Sequence, residues 1–307
     1  MTGRDVPVRS LIAAVLFLAA SFAAPVIAAA QTPPPAPYSL PWQLRPVTAG
    51  TVLRVDETIA SFKVPGGNET GMTVVTSLLA TIKLGARWAP LLRITVATNE
   101  PPAPQLAATA VSNPLLGLTY ARPFGKWKAA AFAAVTLPTG DGGGDTPDAG
   151  QAAAMARAIA ARSAMDNALF AVNFWTAIGG VGGAYVHDNL TVQGEATLLR
   201  LTQSRGPAGE DGARTNFTGG IHAGWFMSHQ ISMGAEYRMQ RWLTDAAPVR
   251  RDPSARQQTT FAIGPRAHFK LAGKKVMRPG IAWVHMIDNP LARENYDAIQ
   301  LDVPLAF

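Results

Sequence analysis

Cysteine is missing from all 307 residues, which excludes a disulfide framework, a thiolate metal site and a cysteine nucleophile. Charge is scarce as well. Asp, Glu, Lys and Arg make up 15% of the chain, against roughly 25% in ordinary soluble domains. Ala, Gly and Thr take their place, and a surface facing lipid would account for the deficit. The five histidines, His187, His222, His229, His268 and His285, lack the close pairing of a metal site, so no metal or cofactor is expected. Neither a nucleophile elbow nor a phosphate-binding loop occurs, and no enzymatic activity is expected. Beyond residue 30 no apolar run is long enough for a transmembrane helix, so membrane insertion would have to use strands.

What charge there is sums to +7. The basic residues are scattered instead of clustered with stacking aromatics, which argues against nucleic acid as a partner. Anionic lipid headgroups or an anion-favouring lumen fit the excess better.

Residues 1–30 carry Arg4 and Arg9, an apolar run from Leu11 to about Ala24 and the small-residue ending Ala28-Ala29-Ala30. This pattern predicts a secretory signal peptide, because Pro25 interrupts the stretch before it could anchor in a bilayer. Residues 31–50 are Pro-rich, with Pro33, Pro34, Pro35, Pro37, Pro41 and Pro46, and predict an extended, solvated periplasmic lead. Within it Trp42 either rests against a barrel mouth or membrane interface, or is incidental.

From residue 51 onward the chain becomes a series of strand-like segments rich in Val, Ile, Leu, Thr and aromatics. They fall near 51–64, 71–84, 87–98, 112–122, 126–138, 168–186, 190–203, 214–227, 230–243, 257–271, 276–287 and 295–307. That makes about twelve, or fourteen if Gly179, Gly180, Gly182 and Gly183 split the sixth. Short connections such as Gly85-Ala86 and Ser228-His229 alternate without exception with longer ones such as 139–167. This rhythm predicts an all-β fold, a transmembrane antiparallel up-and-down barrel of residues 51–307, with tight periplasmic turns, longer outer loops and one helical outer loop. Closure is a physical requirement, since an open sheet edge in lipid would leave a row of backbone groups unpaired.

Period-two alternation separates two faces. Phe261, Ile263 and Pro265 form an apolar row opposite Ala262, Gly264, Arg266, His268 and Lys270. The inward rows supply Glu195, His222, Glu236, Arg238, Arg266, His268, Lys270, Arg278 and Asp302. Charges reaching across a narrow lumen act either as a selectivity lining or as a salt-bridged plug holding the walls together. Trp88, Trp127 and Trp225 near short turns, and Trp242 near an outer loop, suit interfacial girdles. In the longest outer connection Asp141, Asp145 and Asp148 precede an Ala-rich helix over 149–164, with Asp145 and Asp148 placed to cap it. The helix either gates the mouth or lies over the rim, and the acidic spacing lacks the alternating ligands of a calcium loop.

The last nine residues, Ile299 to Phe307, alternate strictly and end on an aromatic. They resemble the closing strand of outer-membrane barrels, whose terminal Phe belongs to the family's assembly signal. The resemblance implies the outer membrane of a Gram-negative bacterium, with lipid as a partner and Phe307 read by the barrel assembly machinery. The strand over Ala129 to Thr136 followed by Leu137-Pro138-Thr139-Gly140-Asp141, with Asn113 to Tyr120 before it, resembles the meta-pathway phenol-degradation family of outer-membrane proteins. That resemblance implies passage of small, hydrophobic or aromatic solutes. The expectation is therefore an outer-membrane channel with a narrow lumen. A plugged structural or surface-interaction barrel and an outer-membrane lipid hydrolase are the alternatives.

Overall fold

The computed structural model describes residues 38–64, 69–207 and 211–307. The expected signal peptide and the first prolines of the lead lie outside these residues. Twelve antiparallel strands close into a barrel. In chain order they are β1 (Val52–Lys63), β2 (Thr70–Thr81), β3 (Trp88–Glu100), β4 (Leu115–Phe124), β5 (Trp127–Thr136) and β6 (Phe174–His187). There follow β7 (Leu190–Gln203), β8 (Ala213–Phe226), β9 (Ile231–Trp242), β10 (Gln257–Ala267), β11 (Gly280–Met286) and β12 (Asp297–Ala306). A short piece, Ala108–Val111, pairs with the outer half of β3 ahead of β4. Closure comes from β1 and β12, in register from Val52 opposite Ala306 to Ser61 opposite Asp297. Every neighbour is antiparallel and the sheet closes on itself, so no strand of the wall is left as an open edge in the bilayer.

The alternation of side chains becomes the two surfaces of the wall. Leu53, Leu78, Leu92, Leu198, Ile221, Ile231, Ile263, Ile281 and Ile299 are exposed on the outside. Thr73, Thr95, Thr191, Gln193, Thr218 and Thr260 are buried on the inside. An apolar outer band around a polar interior is the arrangement of barrels that sit in lipid. Trp88, Trp127 and Trp225 are exposed near the short turns, where a girdle requires them.

Several expectations are corrected. The sixth strand starts at Phe174, not near 168, because Asn167–Phe170 form a helical turn. Gly179, Gly180, Gly182 and Gly183 lie within that single strand and do not split it. Trp242 faces inward, 8% exposed, beneath the Arg214 guanidinium; it shares the row of Gln240 and Arg238, and a two-residue period leaves it no other direction. Trp175 and Trp283 are exposed outer-face tryptophans that the sequence reading did not place in a girdle. Lys270 is exposed in the hairpin of Phe269–Lys270 and Val276–Met277, which extends past the last wall pairing of Arg266 with Gly280. Its inward assignment extrapolated the alternation beyond the end of the strand.

Candidate functional site in the lumen

Two stretches of chain occupy the lumen. The first is the end of the lead, 38–50, expected to be solvated and found inside the barrel. Ser39, Trp42, Leu44 and Val47 are all nearly fully buried. Prolines bar it from helix and leave its backbone donors unpaired, so the wall supplies the acceptors. Glu236 of β9 accepts the N–H groups of Trp42 at 2.8 Å, Gln43 at 3.0 Å and Leu44 at 3.4 Å. Thr191 accepts from Ser39 at 3.0 Å, and Glu195 accepts from the Arg45 backbone and guanidinium. Gln193 accepts from the Tyr38 hydroxyl and donates to the Arg45 carbonyl. The Trp42 carbonyl accepts from Arg54 and Gln300, and the Arg266 guanidinium stacks 4.3 Å above the Trp42 ring.

The wall makes room for this segment with glycine. A Cβ on Gly224 would stand 2.1 Å from the Ser39 hydroxyl, and one on Gly280 would stand 2.6 Å from the Trp42 ring. Inward glycines in an otherwise polar row are the sequence trace of the insertion.

The second stretch comes from the long-loop end. Helix α1 (Ala149–Ala161) is capped by Asp148, whose carboxylate accepts from Gln151 N–H at 2.8 Å. Asp145 is exposed and caps nothing, contrary to expectation, whereas Asp141 accepts from Val111 N–H at 2.8 Å and ties the loop to the wall. Among the described residues no group of acidic or histidine side chains could hold a metal ion. The buried face of α1, Ala154, Met155 and Ala158, joins Phe62, Val75 and Ala97 of the wall in one apolar cluster. Helix α1 therefore enters the mouth and does not lie over the rim. Ser163 and Ala164 then adopt φ of 57° and 53°, turning the chain within the lumen toward helix α2 (Asn167–Phe170).

That turn carries an ion-pair cluster. Arg162 holds Asp56 of β1 and reaches Asp166 at 3.1 Å, and Arg93 of β3 grips Asp166 at 2.8 and 2.9 Å. Burial pushes the Asp166 carboxyl up, but Arg93 and Arg162 outweigh it and hold the group well below the usual carboxylate range. Arg162, whose charge burial disfavours, is held above its ordinary value by Asp56 and Asp166. Gln43 donates to the Arg162 carbonyl at 2.7 Å and to Asp166 at 3.1 Å, so the two inserted stretches meet.

The candidate residues can now be placed. Glu195 and Glu236 hold the first stretch, and Arg238 bonds Glu236, Gln300 and Ser163. Asp302 bridges Arg54 and Arg266. His268 contacts Ser232 at 2.8 Å, and Arg278 donates to the Tyr38 carbonyl at 3.3 Å. His222 lies 3.2 Å from the Ser39 hydroxyl and 3.8 Å from Glu236. Ser, His and Glu in a row have the order of a hydrolase triad, but all three are at most 1% exposed, and Ser39 and Glu236 join the inserted chain to the wall. Sequence reasoning found most of the wall charges and missed their partners Arg45, Arg54, Asp56, Arg93, Arg162 and Asp166.

Between the inserted stretches and the wall a cavity of about 340 Å³ remains. It is lined at the short-turn end by Gly50, Thr81 and Ala306 and on the long-loop side by Met165 and Leu169. Leu79, Leu91, Leu115, Phe132, Ile178 and Leu199 make its sides apolar.

No family model matches the chain, and no curated protein matches it either. Among solved structures it resembles an outer-membrane channel from Pseudomonas putida F1, with TM-score 0.53, 11% identity, and coverage of 90% of this chain and 100% of that one. A NanC porin aligns with TM-score 0.49 and 10% identity over 83% of this chain and 98% of its own. A FadL homologue from Pseudomonas aeruginosa aligns with TM-score 0.41 and 10% identity over 84% and 89%. The Pseudomonas putida structure carries the comparison, and what it shows is the fold, an outer-membrane-type barrel.

Proposed function

We propose that the protein is an outer-membrane channel for small, predominantly apolar solutes, closed in this structure by residues 38–50 and by the loop carrying α1 and α2. One observation carries the reading: an apolar cavity lies inside a lipid-facing barrel and is bounded at its inner end by Met165 and Leu169 of a loop. A barrel built only as a scaffold would gain stability by filling that space, because packed interiors leave few voids much larger than a water molecule. A solute entering from the long-loop side would displace the Met165–Leu169 segment, occupy the cavity and leave at the short-turn end. The similar Pseudomonas putida structure is described as an outer-membrane channel, which supports the same reading. The resemblance of Pro138-Thr139-Gly140-Asp141 to the phenol-degradation family agrees with aromatic or hydrophobic cargo.

The test is uptake of labelled small aromatics into liposomes holding the purified, heat-modifiable protein. Flux above that of empty liposomes, increased when Met165 and Leu169 are replaced by Ala, supports the channel. Flux equal to empty liposomes for both proteins would favour the plugged scaffold.

A further inference from the structure

The cavity is apolar along its sides and charged along its length, and the charges do not balance. Around it and the inserted lead stand the carboxylates Asp56, Asp166, Glu195, Glu236 and Asp302, five in all. Seven guanidiniums face them: Arg45, Arg54, Arg93, Arg162, Arg238, Arg266 and Arg278. Six of the seven reach a carboxylate. Arg278 is the exception.

Arg278 borders the cavity near its short-turn end, beside Val276, Pro304 and Ala306. Its backbone is fixed on both sides: the N–H donates to the Pro304 carbonyl at 3.0 Å, and its own carbonyl accepts from Arg266 at 2.7 Å. Of the guanidinium, one nitrogen reaches the neutral Tyr38 carbonyl at 3.3 Å, and Nε is buried with no partner at all. A guanidinium has five N–H donors in a planar fork that matches a carboxylate. Leaving such a group without a counter-ion inside a partly desolvated wall is costly. Lys128 lines the same cavity, and no carboxylate pairs with it among the described residues. Both uncompensated cations therefore border one apolar space.

We infer that this cavity is a binding site for a small molecule carrying a single carboxylate on an apolar body, with Arg278 as the anchor of the carboxylate. The body lies against Leu79, Leu91 and Phe132, and Lys128 adds long-range attraction for the anion. The inference rests on the lumen being a solute path and specifies the solute's charge.

Calorimetric titration of the full-length protein with a matched pair, 3-phenylpropanoate and 3-phenylpropan-1-ol, tests it. The acid is expected to bind at least tenfold tighter than the alcohol. Arg278→Gln should weaken the acid by about 10- to 100-fold, the worth of a charge-assisted hydrogen-bonded pair, and leave the alcohol unchanged. Arg278→Lys, which keeps the charge, should retain a preference for the acid; it also serves if the Gln variant loses heat-modifiable folding. Equal affinity for acid and alcohol, or an acid preference that survives Arg278→Gln, overturns the carboxylate site while leaving a hydrophobic solute path intact. Binding of neither compound overturns both.

Discussion

Replacing Glu236 by Ala should release residues 38–50 from the lumen. The carboxylate accepts two well-formed backbone hydrogen bonds, from Trp42 at 2.8 Å and Gln43 at 3.0 Å, and a longer one from Leu44. Hydrogen bonds to a charged acceptor contribute about 1.5–3 kcal/mol each, so the two good ones account for roughly 3–6 kcal/mol of docking. At about 1.4 kcal/mol per decade, the undocked population should rise about 100- to 20,000-fold. Arg238, 1% exposed, also loses its carboxylate partner and keeps only the neutral Gln300 and Ser163, so the wall itself is weakened and the folding check is essential. Trp42, now 1% exposed with its N–H held by Glu236, would become a chymotrypsin site. Limited proteolysis of the detergent-solubilised barrel, with heat-modifiable migration as the check on folding, reads this directly. Chymotryptic cleavage at Trp42 should appear in Glu236→Ala, be weaker in Glu236→Gln and be absent in the parent protein. A folded Glu236→Ala barrel as resistant as the parent would refute the claim that this carboxylate holds the segment.

Other expectations follow from the same geometry. Gly224→Ala should undock the segment without altering charge, since the new methyl would occupy the place of the Ser39 hydroxyl; chymotrypsin sensitivity at Trp42 again reports it. Trp42→Ala empties a site that is 1% exposed and should lower thermal stability by about 3–5 kcal/mol, the usual cost of deleting a buried aromatic, as measured by denaturant titration. Because the Asp166 carboxyl is held below its usual range, its contribution to docking the loop is present above the unfolded carboxylate pKa near 4 and is lost only as pH falls through the depressed folded value. Protection of α1 from proteolysis should therefore persist to pH 4 in the parent. In Asp166→Asn it should already be weak at pH 7, with Arg93 and Arg162 left without that partner.

The wall was legible in the sequence because strand alternation is local: a residue's side of the sheet depends on its parity with its neighbours. Phe261, Ile263 and Arg266 were sorted this way, and so was Asp302, now found bridging Arg54 and Arg266. The same parity rule assigns Trp242 to the lumen, and its proximity to a loop was a misleading guide. The lumen's contents were not legible, since they depend on contacts between distant parts of the chain. Trp42 meets Glu236 across 194 positions and Arg162 meets Asp56 across 106, and no local pattern announces either. The prolines of the lead correctly excluded helix, but extended chain can be solvated or can borrow acceptors from a wall, and local sequence does not choose between them. The nearest hint was the set of inward glycines at 220, 224 and 280, which keep the wall smooth where the segment lies.

The central claim, a channel closed by its own two inserted stretches, is tested most directly by single-channel recording in planar bilayers. The intact protein should show a mostly closed baseline with brief openings. A protein lacking residues 38–50, with residues 142–171 replaced by a short Gly-Ser linker, should show a stable open pore. A steady large conductance from the intact protein, or a closed baseline from the shortened one despite a folded barrel, would contradict it.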